Sequence, residues 1–307
     1  MGRFRIVRAL LQASLAGLLL HVASVSAQEL EPRSYSPSPV GTNFIDVGYT
    51  RLTGDVLTDP SLPVTNVQAR INTYTLAYVR TFGVAGHSAS IAFGLPYVSG
   101  DLSGSVIDAP TAIHREGMAD ARLRLAYNLI GSPAMSVEEF ARRAPAAALG
   151  VSLTISAPTG KYEPSRLVNV GTNRWSFRPE IGISRPVGNW FLEASAGVIF
   201  FTDNDNFFHG NRRSQDPVAL VQFHSGYTFR PGLWIAGDVG YANGGRTSVN
   251  GVANHDRQSN MRYGLTFSAP IAVGWSAKLA FSNGLVTRVG GDYRAITFAL
   301  QHRWFDR

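Results

Sequence analysis

The feature that most constrains this chain is a residue-by-residue alternation between two chemistries, repeated almost to its C-terminus. The clearest stretch is residues 119–129. Ala121, Leu123, Leu125, Tyr127 and Leu129 hold one parity, and Asp120, Arg122, Arg124, Ala126 and Asn128 hold the other. Successive side chains of a β-strand point to opposite faces, so a period of two reads as a strand with one greasy and one charged face. The pattern recurs in residues 89–97, 149–157, 175–183, 192–200, 221–229, 233–241, 261–267, 277–285 and 296–304. Two further segments, 42–52 and 67–82, alternate less cleanly. In the second, Tyr74, Leu76 and Tyr78 share a parity with Arg70 and Arg80, which leaves its facing open. These segments make about twelve strands, an even number of the kind that closed bacterial outer-membrane barrels use.

A soluble β-sandwich also alternates, but three features favour a transmembrane antiparallel β-barrel. Connections alternate between short (residues 83–86, 188–189, 230–232 and 270–274) and long (53–66, 99–116, 159–172, 203–217 and 243–257), as periplasmic turns and outer loops do. Aromatic residues of the apolar parity cluster near strand ends. With periplasmic termini, Trp190, Trp275 and Trp304 fall at the inner rim with Tyr127 and Phe229, and Tyr97, Trp175, Phe200, Tyr241 and Tyr263 fall toward the outer rim. Finally, the polar parity carries too many charges for a dry core, where unpaired charge is costly.

The N-terminus reads as an export signal. Arg3, Arg5 and Arg8 precede an apolar stretch, residues 9–22, and Val25, Ser26 and Ala27 supply small residues where a signal peptidase reads. The stretch falls short of the roughly 20 apolar residues that a spanning helix needs. Cleavage is expected after Ala27, followed by an N-terminal periplasmic segment, 28–40, and an outer-membrane barrel, 41–307.

Composition removes other classes. There is no cysteine, hence no disulfide framework, thiolate metal site or lipid-anchoring cysteine. The formal charge is +7; without the three signal arginines, 25 basic residues face 21 acidic ones. No basic block suggests a nucleic-acid partner. Only Lys161 and Lys278 are lysines, and an arginine-dominated set suits fixed, hydrogen-bonded charge.

Parity also fixes register. If Glu180 and Glu193 both face inward, the loop between them is even, and Gly188-Asn189 forms a two-residue hairpin. If His224 and Asp238 both face inward, their loop is odd; Arg230-Pro231-Gly232 satisfies this and sets the two opposite each other. Residues 131–145 break the short-turn rule. There Ser136 and Glu139 have capping-box spacing for a short helix.

The interior candidates are Asp120, Arg122, Arg124, Arg178, Glu180, Glu193, His224, Asp238, Arg262, Lys278 and Arg303. They suit either a selectivity lining or a salt-bridge mesh that closes the lumen, because small barrels are filled by side chains and only large ones leave open channels. His224 and Asp238 resemble two members of a hydrolase triad, but Ser225 has outward parity and no serine is placed to attack. Asp203-Asn204-Asp205-Asn206 lacks the ligand and the glycine that a calcium loop requires next. No metal and no cofactor is implied.

Several stretches resemble the MetA-pathway of phenol degradation family of Gram-negative outer-membrane proteins. They are residues 35–44 (YSPSPVGTNF), 54–63 (GDVLTDPSLP), 171–180 (GTNRWSFRPE), 200–208 (FFTDNDNFF), 227–234 (YTFRPGLW) and 256–260 (DRQSN). The resemblance covers nearly all of the chain after the signal. It implies an outer-membrane barrel that passes aromatic or other small organic solutes; with no nucleophile placed no enzyme is expected, and the expected partners are outer-membrane lipid and the barrel assembly machinery. It supplies no site residues. The expected function is a passive channel for such solutes. A non-transporting structural or adhesion barrel with a plugged lumen is the alternative, and an outer-membrane hydrolase a distant third. Such barrels often end on an aromatic residue; here Phe305-Asp306-Arg307 follows Trp304.

Overall fold

The structure is a computed structural model that describes residues 30–57, 64–106 and 109–306. The expected signal segment and its cleavage point lie outside the described residues. The elements in chain order are β1 (Thr42–Leu57), β2 (Val64–Val84), β3 (His87–Val106), β4 (Ala109–Met118), β5 (Arg122–Ile130), α1 (Val137–Arg142), β6 (Ala148–Ser156), β7 (Ser176–Val187) and β8 (Trp190–Phe201). There follow β9 (Asn204–Phe207), β10 (Asn211–Gln215), β11 (Val218–Arg230), β12 (Leu233–Gly244), β13 (Thr247–Val249), β14 (Val252–Ala253), β15 (Gln258–Ala272), β16 (Trp275–Val286) and β17 (Gly290–Phe305).

The long strands pair antiparallel around a closed ring, and β17 returns to β1 along a continuous ladder from Thr42↔Phe305 to Leu57↔Gly290. β5 pairs with the first half of β3 and β4 with its second half, so the two share one place in a 12-stranded barrel. Closure leaves the ring itself no edge, the free edge of β4 lying in the hairpin beyond it, which satisfies backbone groups where no water is available. No described helix is long and apolar enough to cross a membrane. The strands do so, with Leu76, Phe223, Leu265, Leu279 and Phe298 among the large apolar side chains left exposed on the outer wall.

The facing of β2 is now settled: Tyr74, Leu76 and Tyr78 point outward together with Arg70 and Arg80. Both register inferences hold. Val187 pairs with Trp190 across Gly188-Asn189, where Gly188 takes a positive φ of 59°. His224 pairs with Asp238, but not through a three-residue loop: Arg230 stays in the strand and pairs with Leu233 across Pro231-Gly232, and a bulge between Thr228 and Arg230 supplies the odd residue. Ser136 and Glu139 form both halves of the expected capping box at the start of α1.

The long outer connections differ from expectation. Residues 99–116 form a hairpin, the second half of β3 with β4, rather than a loop. The cause is an inward-facing apolar cluster of Leu52, Val56, Val67, Ala69, Ile71, Leu102 and Tyr293, which gives β1 to β4 a core to bury beyond the membrane band. Residues 203–217 and 243–257 contribute β9, β10, β13 and β14, a small separate sheet. Its Phe207 and Val249 pack with Leu167 of the strand-free segment between β6 and β7.

Candidate functional site

The barrel interior is not empty. The segment before β1, expected from the sequence as a periplasmic lead-in, instead makes its contacts on the inner wall. Tyr35 donates its hydroxyl to Glu180 Oε1 (2.8 Å) and lies 3.1 Å from Ser152 Oγ. Its ring rests on Gly150 of β6 and Gly182 of β7, which pair with each other. Any side chain at Gly182 would occupy the ring's space, since a Cβ there would fall 2.2 Å from Tyr35 Cε2. The Arg33 amide donates to Glu193 Oε2 (2.5 Å) and Ser36 Oγ to Glu193 Oε1 (3.0 Å). The Arg33 guanidinium donates to Thr228 Oγ1 (2.6 Å) and lies 4.2 Å above the Phe191 ring centre, with Trp234 at 5.2 Å. Leu30 packs over Gly240 and Gly264. Glycines on adjacent strands thus leave a trough in the wall, and the segment lies in it.

Around this segment the structure gathers part of the expected set. Arg124, Arg178, Glu180, Glu193 and His224 line one interior cavity together with Glu31 and Tyr35. Its volume is about 20 Å³, room for little more than one water. The Arg124 guanidinium also lies 5.3 Å from the Tyr35 ring centre. The Glu31 carboxylate lies in the field of Lys278, Arg124, Arg178 and Arg122. The chain therefore supplies its own anion to its cationic lining. Asp46, another inward acid, accepts from Gln301 Nε2 (2.9 Å) in range of Lys278.

The remaining candidates have other surroundings. His224 Nδ1 and Asp238 Oδ1 are 2.7 Å apart and almost fully buried, and Thr266 Oγ1 donates to Asp238 Oδ2 (3.0 Å). Ser225 lies on the exposed outer face, so this pair has no adjacent nucleophile on its own strand. Asp120 faces inward but belongs to the outer loops. It accepts from the Gly160 and Thr172 amides (2.9 and 3.0 Å) and from Thr172 Oγ1 (2.5 Å). Arg262 donates to the Tyr293 carbonyl (2.6 Å) and braces the outer half of the wall. Arg303 is exposed at the periplasmic rim, over the Phe305 ring. Among the described residues no group of acids and histidines could hold a metal ion.

Sequence reasoning missed Glu31, Arg33, Tyr35 and Ser36. The available signal was the set of inward glycines, Gly150, Gly182, Gly240 and Gly264, a run of missing side chains on a wall otherwise well filled.

The fold has solved counterparts. A COG4313 outer membrane channel from Pseudomonas putida F1 superposes with a TM-score of 0.77 at 22% identity, covering 90% of this chain and 100% of that one. The β-domain of the Bordetella autotransporter BrkA gives 0.51 at 11% identity over 86% of this chain and 100% of its own. The transport unit of the autotransporter AIDA-I from Escherichia coli gives 0.50 at 8%, over 94% and 98%. No curated protein matches the chain by sequence. The family described as "Putative MetA-pathway of phenol degradation" matches residues 49–304, nearly the whole barrel, and the chain belongs to that family.

Proposed function

We propose that this protein is a passive outer-membrane channel for small organic solutes, with a preference for anions such as aromatic carboxylates. It is exported by a signal peptide cleaved after Ala27 and inserted by the barrel assembly machinery. The observation that carries the reading is the placement of Glu31 among Lys278, Arg124, Arg178 and Arg122. A cluster whose field favours a tethered carboxylate is chemically suited to a free one, which a guanidinium can grip through two parallel hydrogen bonds. The interior segment is then a displaceable occupant. It is held by side-chain contacts to the wall, so it can leave without unzipping a strand.

The chemistry at His224 and Asp238 is structural on this reading, and the protein is not an enzyme. The alternative, a barrel that transports nothing, draws support from how little room the cavity beside Glu31 and Tyr35 leaves, about 20 Å³. Reversal potentials across a salt gradient decide between them. Wild type is expected to be anion-selective in planar bilayers, and the double replacement Arg122→Gln with Arg124→Gln to lose much of that selectivity. Cation selectivity, or no conductance under any condition, would reject the channel reading.

A further inference from the structure

The outer wall carries a second cationic feature, on the lipid side. On β17, β1 and β2 the outward residues form successive cross-strand rungs. Phe298, Tyr49 and Tyr74 make one rung; Ile296, Arg51 and Asn72 the next; Arg294, Thr53 and Arg70 the one above. Arg51, Arg70 and Arg294 are all exposed. The aromatic rung below them is an interfacial belt, where amphipathic rings meet the headgroups. Arg51 lies eight residues along β1 from Asn43, the partner of rim Trp304. At about 3.4 Å per residue and ~40° of tilt this is roughly 21 Å of membrane depth, close to the ~25 Å apolar band of such barrels. Arg51 therefore stands at the outer boundary, and Arg70 and Arg294 one rung beyond it.

These guanidiniums are not consumed by the protein. Nearby acids are present: Asp101 is paired with His114 (2.7 Å), Asp292 accepts from Thr287 (3.0 Å), and exposed Asp55 stands on the next rung outside salt-bridge distance of the arginines. Among the described residues none of the three arginines has a carboxylate within salt-bridge distance. Beside Arg70 and Arg294, one rung beyond Arg51, opens a hollow of about 350 Å³ whose lining includes Thr53, Gln68 and the carboxylates Asp55 and Asp292. An exposed polar hollow with unpaired guanidiniums, continuous with the lipid-facing belt, fits a phosphate carried at headgroup depth.

We infer that Arg51, Arg70 and Arg294 form a docking site for the phosphate groups of the outer leaflet's phosphorylated glycolipid. Guanidinium is suited to phosphate through paired, charge-assisted hydrogen bonds. The site lies outside the lumen, so it stands or falls independently of the channel reading.

The test uses the purified full-length barrel in detergent and native mass spectrometry with three lipids: bis-phosphorylated lipid A, the same lipid A with its phosphates removed, and phosphatidylglycerol. Wild type is expected to retain phosphorylated lipid A at least tenfold better than either comparator. Replacing all three arginines with glutamine is expected to abolish the difference. The three side chains are exposed, so the variant should fold, which heat-dependent gel mobility verifies. Equal retention of dephosphorylated lipid A, or an unchanged preference in the folded triple variant, would overturn the site. Displacement of lipid A by millimolar inorganic phosphate would assign the arginines to free phosphate and would also overturn it.

Discussion

Gly182→Ala tests the occluding segment without deleting it. A Cβ at this position falls 2.2, 2.4 and 2.6 Å from Tyr35 Cε2, Cδ2 and Cζ. Carbon atoms rest at about 3.5–4.0 Å, so the ring must retreat by more than an ångström. That retreat breaks the hydroxyl's contacts with Glu180 (2.8 Å) and Ser152 (3.1 Å). A hydrogen bond to a charged acceptor contributes about 1.5–3 kcal/mol, and losing a well-packed aromatic ring costs about 3–5 kcal/mol. If only about 3 kcal/mol of this holds the segment against release, the displaced population rises roughly a hundredfold, since 1.4 kcal/mol is a factor of ten. Single-channel recording should then show long, larger openings in Gly182→Ala that are rare in wild type. Tyr35→Ala should behave alike. The double variant should add little to either, because both remove one contact. The reasoning fails if Gly182→Ala folds and conducts like wild type.

Two further expectations concern the outer face. Asp120→Ala should leave ion selectivity unchanged but expose residues 157–175 to protease on intact cells. Each of the loop donors it satisfies, left buried and unpaired, costs roughly 1–3 kcal/mol; an altered reversal potential with an intact loop would contradict this role. His114, hydrogen-bonded to Asp101 with Glu116 nearby, should titrate above its ordinary 6.5. The linked stabilisation of the β3–β4 hairpin is present below that ordinary value and lost as pH rises through the folded one. An NMR midpoint at or below 6.5 in the folded protein would remove the effect.

What the sequence made legible follows from where the physics is local. Lipid outside and charge inside impose clean alternation on most strands, so the facing of Arg124, Glu180, His224 and Asp238 could be read directly, and turn parity brought His224 opposite Asp238, whereas the outward arginines of β1 and β2 blurred the pattern there. Alternation says which wall a residue faces but not how far along the barrel it stands, nor what meets it there. Asp120 was assigned to the lumen by parity. It lies just before β5 begins at Arg122, where the chain turns into the outer loops. The hairpin of residues 99–116 was hidden by its Gly, Ser and Pro content, and it extends because Leu102 reaches apolar partners distant in sequence. The interior segment was least legible. It has no period of its own, and its partners, Ser152, Glu180, Glu193 and Thr228, come from four strands.

The mixed charge of the inner wall takes on a division of roles once that segment is in place. Glu193 is engaged by the Arg33 amide and by Ser36, and Glu180 by Tyr35. These acids hold donors of the segment, whereas Lys278, Arg124, Arg178 and Arg122 act on Glu31, its one carboxylate among the described residues. The two signs therefore do separate work: one anchors the occupant and the other neutralises it. Release exposes both, but Glu180, Glu193 and the inward Asp46 are three acids against four cations, so the open lumen, freed of Glu31, should be more anion-selective than the occluded one. Reversal potentials resolved by conductance level in Gly182→Ala should shift toward the anion potential in the larger state. Glu31→Gln, which keeps the segment's shape but not its charge, should shift the smaller state the same way. If both states of both proteins select alike, the cations are paired by something other than Glu31, and the assignment of this cluster to solute carboxylates falls with it.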